Sequence, residues 1–417
     1  MGMTLSEELQ WRGFVNQSTF EDIKAIDGDP ITFYWGVDPS ADSMQVGNFV
    51  IAMMIKHFIN HGHKPVLLVG GATGLIGDPD GKSDERELKS VEQVEHNKKA
   101  ISAQYRRVFE GADLPIVDNY DWFKGMNYMS FLRDVGKHVP MSQMLGREFV
   151  QARLGADGSG ISYAEFSYSL IQGYDFLHLF REMGVTMQVA GSDQWGNCVA
   201  GVELIRRIEG AEAHIWTAPL VMNKTTGKKF GKTEDGAVWL DEKKTSVFKF
   251  YQFWLNSGDD DVFDYLKIFT LLDKETIESL AEEMKTNAAS RPAQKALAFE
   301  VTKLVHGVER AESVRKISEV LFGSGDYNEL SKSDFEMLEG ELPVFVVDKD
   351  KGLADFMVEA ELASSKSEAR RFLTDAAVYI NGSQLPLDQT QFIDEDFISG
   401  YAVVRRGKNT TALAKLV

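Results

Sequence analysis

Tyr168, Gln172 and Asp175 stand at i, i+4 and i+7 of SYAEFSYSLIQGYDFLHLFREMG, a stretch whose periodicity predicts a helix. That spacing puts a phenol, an amide and a carboxylate on one helical face, with Phe166, Leu170, Tyr174, Leu177 and Phe180 crowding the neighbouring positions. Such a stripe is either a solvated face or a buried polar set, and a buried set demands partners. A second group is cationic: KTTGKKFGKTEDG carries Lys224, Lys228, Lys229 and Lys232 among glycines. It is either a plain surface turn or a flap that brings ammonium groups to phosphate charge as it develops. His57, His61 and His63 lie close together but fall at a predicted helix end, so they are taken as surface or C-cap residues rather than metal ligands. No metal site is expected from the spacing of His, Cys, Asp and Glu.

The elements that must position these residues alternate. ITFYWGV (31–37) is β-branched and aromatic and predicts a strand, NFVIAMMIKHFINHG a helix ending at Gly62, and PVLLVGG a buried strand. One βαβ unit of this kind implies parallel strands and a right-handed crossover. A long helix follows in SVEQVEHNKKAISAQYRRVFEG, then a short strand in LPIVDNYDW, the helix of the polar stripe, and a strand in MQVAGSDQWGN. The fold class expected is a Rossmann-like, doubly wound α/β sheet over residues 1–223. Residues 224–244 form a basic loop and connection. Amphipathic helices alone fill 245–322, the mixed and acidic stretch 323–350 is taken as a linker, and 351–417 as a small α+β module.

Open α/β sheets bind ligands beyond the carboxyl ends of their strands. Three predicted loops lie there: Asp38 to Asn48, Gly70 to Lys82, and Gly191 to Asn197. A helix opening near Gly47 and Asn48 would offer free N–H groups and a favourable dipole to an anion such as a triphosphate. No G-x-x-x-x-G-K-[ST] occurs, which excludes a Walker loop, and no G-x-G-x-x-G follows a strand, which sets aside a nicotinamide-dependent oxidoreductase. Glycines 70, 71, 74 and 77 alone support either phosphate binding or close packing of strand and turn.

The 417 residues are 43% hydrophobic, enough for two or three cored domains. A formal charge of −18 opposes nucleic-acid binding unless basic stripes are local. The single cysteine, Cys198, rules out a disulfide within the chain and a cysteine metal cluster. The amino terminus has no basic start followed by an apolar run, and no stretch approaches membrane-spanning length, so a reducing cytoplasm and no membrane partner are expected.

Taken together, LQWRGFVNQST, YWGVDPSADS, LLVGGATGLIGDP, NYDW, FLRDVGKH, EFSYSLIQGYDF, GSDQWGN, KKFGKTEDGAVWL, FYQFWLN and VTKLVHG resemble the bacterial tyrosyl-tRNA synthetases over essentially the whole chain. The resemblance implies a class I Rossmann domain, a helical anticodon-binding domain and a C-terminal module of the ribosomal-protein S4 type. It implies a homodimer with FLRDVGKH near its interface. L-tyrosine, ATP with accompanying Mg²⁺ and tRNA(Tyr) would be the substrates, with no tightly bound cofactor. By resemblance Tyr34 and Asp175 bind the substrate phenol, and Tyr168, Gln172 and Asp78 its ammonium group, with Asn119 in the same wall. Gly36, Asp38, Ser40, Gly47, Gly191, Asp193 and Gln194 would line the nucleotide and adenylate. Lys229 and Lys232 match the mobile signature KMSKS, and Lys82 and Arg86 match positions that reach toward pyrophosphate.

The family's HIGH signature stands here as Gln45-Val46-Gly47-Asn48, and Trp35 occupies a usually small position near the ribose. Gln45 and Asn48 are therefore expected to act as uncharged donors in place of imidazoles. The alternative is a paralogue without activation, acting as an RNA-binding or tyrosine-sensing protein. Candidate tRNA contacts are Arg147, Arg153, Arg206, Arg207, Arg370, Arg371, Arg405, Arg406 and Lys408.

Overall fold

The computed structural model describes residues 2–79, 88–112, 114–155, 160–224, 227, 230–233, 236–323, 325–348, 350–407 and 410–417. The chain forms two compact units, one of residues 1–244 with 257–293 and the other of residues 245–256 with 294–417.

The first unit is built on a six-stranded sheet of order β1-β6-β5-β2-β3-β4. Its strands are β1 (Gln17–Ser18), β2 (Thr32–Val37), β3 (Lys64–Val69), β4 (Ile116–Asp118), β5 (Met187–Gly191) and β6 (His214–Ala218). All pairings are parallel except the edge pair β1–β6. The expected doubly wound sheet is thus present. Strands β2, β3 and β4 step outward in one direction, and the chain then crosses to place β5 on the other side of β2. That reversal between β2 and β5 is the topological switch point, where such sheets take their ligands.

Helix α1 (Leu5–Arg12) precedes the sheet, and α2 (Val46–Asn60) crosses from β2 to β3. The run VIAMMI in α2 is apolar all round because the helix is enclosed, and Phe49, Ala52, Met53, Met54, Ile55 and Phe58 are inaccessible. Each of the phenylalanine, methionine and isoleucine side chains contributes about 1.5–3 kcal/mol relative to exposure.

The histidine expectation is corrected here. His61 does cap α2, but His57 is buried against Glu8, and His63 is buried with Nδ1 accepting the Ile31 amide at 3.0 Å. Helix periodicity had left position 57 at the end of the sequence pattern, and α1 covers it. Arg12 donates to Glu8 and to the carbonyls of Lys267, Thr270 and Leu272 at 2.8–3.1 Å. It thereby caps the helix Val262–Phe269 and fastens α1 to it. Burial opposes ionisation of Glu8, but His57 and Arg12 outweigh it and hold the carboxyl down to about 2. Burial keeps His57 neutral, so its Nδ1–H donates to Glu8. Because the folded value lies below the ordinary 4.5, the stabilisation is complete above that pH and is lost as pH falls toward 2. Glu8→Gln should therefore cost on the order of 3 kcal/mol at pH 7, measured by urea unfolding, and the gap to the parent should close on acidification. A gap that is independent of pH would contradict this.

A two-stranded ribbon, β7 (Lys232–Thr233) with β8 (Gly236–Ala237), follows β6. In the second unit the sheet order is β11-β10-β12-β13-β9. Its strands are β9 (Val344–Val347), β10 (Val378–Ile380), β11 (Ser383–Gln384), β12 (Tyr401–Arg406) and β13 (Thr410–Leu416). Helices Leu353–Glu359 and Lys366–Thr374 close a core around Phe356, Met357 and Val404. The stretch taken as a linker carries a helix, Lys332–Leu338, and strand β9, which pairs parallel with β13. Its four-residue VFVV run is too short for a single sequence to distinguish a strand from a turn.

Candidate active site

A cavity of about 450 Å³ opens at the switch point. Strand β2 delivers Tyr34 and Gly36 to it, the loop after β2 delivers Asp38 and Ser40, and the start of α2 delivers Gln45, Gly47 and Asn48. The Gly70–Asp78 loop contributes Thr73 and Asp78, the helix Tyr163–Met183 contributes Tyr168, Gln172 and Asp175, and the end of β5 contributes Gly191, Asp193 and Gln194. The polar stripe on that long helix is therefore a cleft wall and not a solvated face. Tyr168 and Asp175 are 5% and 2% exposed.

Asp175 lies at the bottom. Its Oδ2 accepts from Asn119 Nδ2 at 3.0 Å and its Oδ1 from Trp122 Nε1 at 2.9 Å. Burial pushes its carboxyl well above the usual range, the two donors oppose this, and the charges of Asp38 and Asp118 add to it. Asn119 is fully buried, although it is not on the cavity surface, and its Oδ1 accepts the Ala72 amide at 2.7 Å. Trp122, absent from the residues singled out by sequence, was visible only as part of NYDW. Tyr34 faces the same slot. Burial raises its phenol well above the ordinary value, so it remains a donor, and its hydroxyl has no hydrogen-bond partner among the described residues.

Further out, Tyr168 Oη donates to Asp38 Oδ2 at 2.7 Å and Thr73 Oγ1 to Asp38 Oδ1 at 2.6 Å. With its proton given to Asp38, the Tyr168 oxygen is left to accept. Gln172 Oε1 is buried without a partner among the described residues, and Asp78 accepts from Gln194 Nε2 at 2.7 Å. Three acceptors therefore border this part of the cavity. The glycines at 70 and 71 serve packing: a Cβ would stand 2.1 Å from Thr73 Oγ1 at Gly70 and 2.3 Å from Asp118 Oδ1 at Gly71.

At the other end, Asn48 Oδ1 accepts the Gln45 amide at 3.0 Å, which leaves Nδ2 without a partner among the described residues. The helix opens at Val46, one residue before the expected start, and Gly47 borders the cavity with open space where a Cβ would be. Val238 O accepts the Val46 amide at 3.0 Å, and Met44 O accepts the Leu240 amide at 3.0 Å. The segment after the basic loop is thus stitched to the N-terminus of α2. Trp35, on the opposite face of β2 from Tyr34, packs its ring 5.3 Å from Tyr105. The cavity continues past it to Gly47, Asn48 and Ile51, so the indole does not close that end.

Lys82, Arg86, Lys229 and Lys408 lie outside the described residues, as does the side chain of Lys232. Among the described residues no group of three or more His, Cys, Asp or Glu is arranged for a metal. Of the proposed tRNA contacts, Arg153 is not a surface charge: it is 4% exposed and makes a two-pronged pair with Glu165 at 2.9 and 3.1 Å. Arg147 is half-buried and donates to Asn197 Oδ1 at 2.6 Å and to the Gly196 carbonyl. Arg206 and Arg207 both pair with Glu203 on the surface. In the second unit Arg370 and Arg371 are exposed, Arg405 lies over the Tyr379 ring at 4.8 Å and Arg406 over Phe372 at 5.0 Å. This forms a basic patch backed by aromatic rings.

The switch-point cleft, the helix start at its rim and the segment 238–240 stitched to that start are those of a class I aminoacyl-tRNA synthetase core. The family of tRNA synthetases class I (W and Y) matches residues 27–323, and a tyrosine–tRNA ligase SYY-like C-terminal domain matches residues 334–414. Within that class the chain belongs to the bacterial-type tyrosine–tRNA ligase family. It is 45% identical over 416 residues to the tyrosine–tRNA ligase of Staphylococcus haemolyticus, covering 98% of each chain. It is 46% identical to that of Bacillus caldotenax, covering 97% of this chain and 98% of the relative. Among solved structures, a C-terminally truncated mitochondrial tyrosyl-tRNA synthetase of Aspergillus nidulans aligns with a TM-score of 0.69 at 30% identity. That alignment covers 76% of this chain and 94% of the other.

Proposed function

We propose that the protein activates L-tyrosine with ATP and transfers it to tRNA(Tyr). The observation that carries this reading is one cleft that, among the described residues, holds orphaned polar atoms of opposite kind, the donor hydroxyl of Tyr34 and the acceptor Oε1 atoms of Gln172 and Gln188. A phenol between Tyr34 and Asp175 accepts from the first and donates to the second. An ammonium group has three donors, and Tyr168 Oη, Gln172 Oε1 and Asp78 answer them. The Tyr34 and Gln172 orphans are then satisfied by the substrate, which is the condition for tolerating them in the free protein.

The amino-acid carboxylate is ionised at neutral pH, so no general base is required. Its oxygen attacks the α-phosphorus of ATP, the bond to the bridging oxygen breaks, and pyrophosphate leaves with the Mg²⁺ that accompanied the substrate. A terminal ribose hydroxyl of the tRNA then attacks the adenylate carbonyl and AMP departs. The protein's part is alignment and charge stabilisation. Gly36, Asp38, Ser40, Gly191 and Asp193 line the middle of the cavity, where the adenylate would lie. Gln45, Gly47 and Asn48 face the phosphates, with Lys82, Arg86, Lys229 and Lys232 supplying positive charge. The patch of Arg370, Arg371, Arg405 and Arg406 fits RNA phosphate.

Tyrosine-dependent exchange between ATP and pyrophosphate tests the activity. Exchange is expected with tyrosine and only as a trace with phenylalanine. Its absence with every amino acid, alongside retained tRNA binding, would return the chain to an RNA-binding or tyrosine-sensing role. We also infer a homodimer from the exposed apolar side chains of Tyr128, Met129, Met141, Leu154 and Tyr163, each 51–68% accessible on the first unit. Light scattering should give twice 46.7 kDa.

A further inference from the structure

Behind the amino-acid half of the cleft a second layer of polar contacts converges on one carboxylate, Asp118. It ends β4, and its Oδ1 accepts the amides of Gly71 at 3.1 Å and Tyr120 at 2.9 Å. Its Oδ2 meets Lys98 Nζ at 2.5 Å, from the helix Val91–Val108. Lys98 also reaches Glu95 Oε2 at 2.5 Å, one turn back on its own helix. The pair is shielded, with side chains 19% and 17% exposed, so it is screened less than a surface ion pair.

The next residue repeats the grip. Asn119 Oδ1 accepts the Ala72 amide, while its Nδ2 donates to Thr73 Oγ1 and Asp175 Oδ2. Asp118 and Asn119 thus hold three consecutive residues of the loop after β3, and Gly71 is glycine because Asp118 lies where its Cβ would be. The loop in turn gives Thr73 to Asp38, which holds Tyr168. We propose that Asp118, clamped by Lys98, is a positioning residue for amino-acid recognition: it fixes the Gly71–Thr73 turn so that the Asn119 amide stays aimed at Asp175 and Thr73 at Asp38. Neither Asp118 nor Lys98 lines the cavity itself, so Asp118 acts through Asn119 and Thr73. This deepens the tyrosine-activation reading and rests on it.

The contacts served by the clamp are made to the amino acid both before and during reaction. Loosening them weakens ground state and transition state alike, raising KM without lowering kcat. The nucleotide end, set by α2 and the segment 238–240, shares no clamp atom. Without the ammonium group, the Asp118 charge would also bear on Asp175 uncompensated.

The test uses the full chain with Lys98→Met, Lys98→Arg and Asp118→Asn. The asparagine keeps one acceptor for the Gly71 amide and guards against misfolding. Steady-state pyrophosphate exchange gives the constants for tyrosine and for ATP, equilibrium dialysis gives tyrosine affinity without catalysis, and thermal unfolding monitors the fold. Lys98→Met should raise the tyrosine KM and Kd about tenfold, with kcat and the ATP KM within about twofold. Lys98→Arg should restore tyrosine binding to within about twofold, and Asp118→Asn should fall between. The proposal is overturned if tyrosine binding is unchanged in both Lys98→Met and Asp118→Asn. It is equally overturned if the tyrosine and ATP constants rise together, or if arginine fails to restore binding. Failure of the parent protein to exchange with tyrosine would instead remove the functional reading, which separates the two failures.

Discussion

Asp175→Asn should abolish most tyrosine activation, lowering kcat/KM for tyrosine by about 10³-fold, equivalent to ~4 kcal/mol. The substitution is nearly isosteric, so the effect follows from hydrogen-bond polarity. Each Asp175 oxygen already accepts a protein N–H, one from Asn119 and one from Trp122. A carboxamide must therefore point its NH₂ at one of those donors in either orientation. Asn119 cannot turn over to relieve the conflict, because its own oxygen holds the Ala72 amide. Whichever orientation wins, the slot loses an acceptor that the substrate phenol requires, and a buried donor is left unpaired. Phenylalanine never used that acceptor, so its trace activation should change much less and the preference for tyrosine should shrink. Exchange assays with both amino acids decide the matter. A fall of less than about tenfold with tyrosine, or an equal fall with phenylalanine, would remove Asp175 from phenol recognition.

Much of this arrangement was legible before any coordinates, for a physical reason. The β2–α2–β3 unit carries its period openly, with a continuous apolar run for a strand buried on both faces and a wholly enclosed helix. The i, i+4, i+7 spacing of Tyr168, Gln172 and Asp175 survives in the fold because helix geometry is local. What the sequence left ambiguous is which way that stripe points, and only the crossover of β5 to the far side of β2 decides it. Contacts between distant positions were less accessible. Arg153 and Glu165 are twelve residues apart and each resembles an ordinary surface charge, yet they pair in the interior. Lys98 and Asp118 are twenty apart with nothing in their own neighbourhoods to link them. His57 appears terminal on its helix until α1 is folded over it. The helix Trp195–Glu209 follows GSDQWGN so closely that its start was taken as loop, since a 3₁₀ turn at Ser192–Gln194 leads directly into it.

At the nucleotide end the decisive substitution is Asn48→Asp. Asn48 has two jobs that one side chain performs with different atoms. Its Oδ1 accepts the Gln45 amide at 3.0 Å and so caps α2, and its Nδ2 remains as a donor beside the cavity. Asn48→Ala removes both, the N3 side chain's hold on the Gln45 amide as well as the donor, so a slower enzyme would have two explanations. Asn48→Asp separates them. Its carboxylate caps the helix as well as asparagine does and is favoured by the N-terminal dipole, so the thermal midpoint should hold or rise. The donor is gone, and a negative charge stands where phosphate charge must develop. Pyrophosphate exchange should therefore slow by at least about 10²-fold in kcat, with the tyrosine KM within about twofold. Gln45→Ala should act in the same direction without touching the Asn48 acceptor. Amides do not titrate near neutrality, so these two positions lend the parent enzyme no pH dependence between about 6 and 8, whereas Asn48→His should introduce one near the imidazole range. If Asn48→Asp turned over at the parental rate, the start of α2 would serve only as a helix terminus, and stabilisation of the leaving phosphates would fall to the lysines and arginine alone.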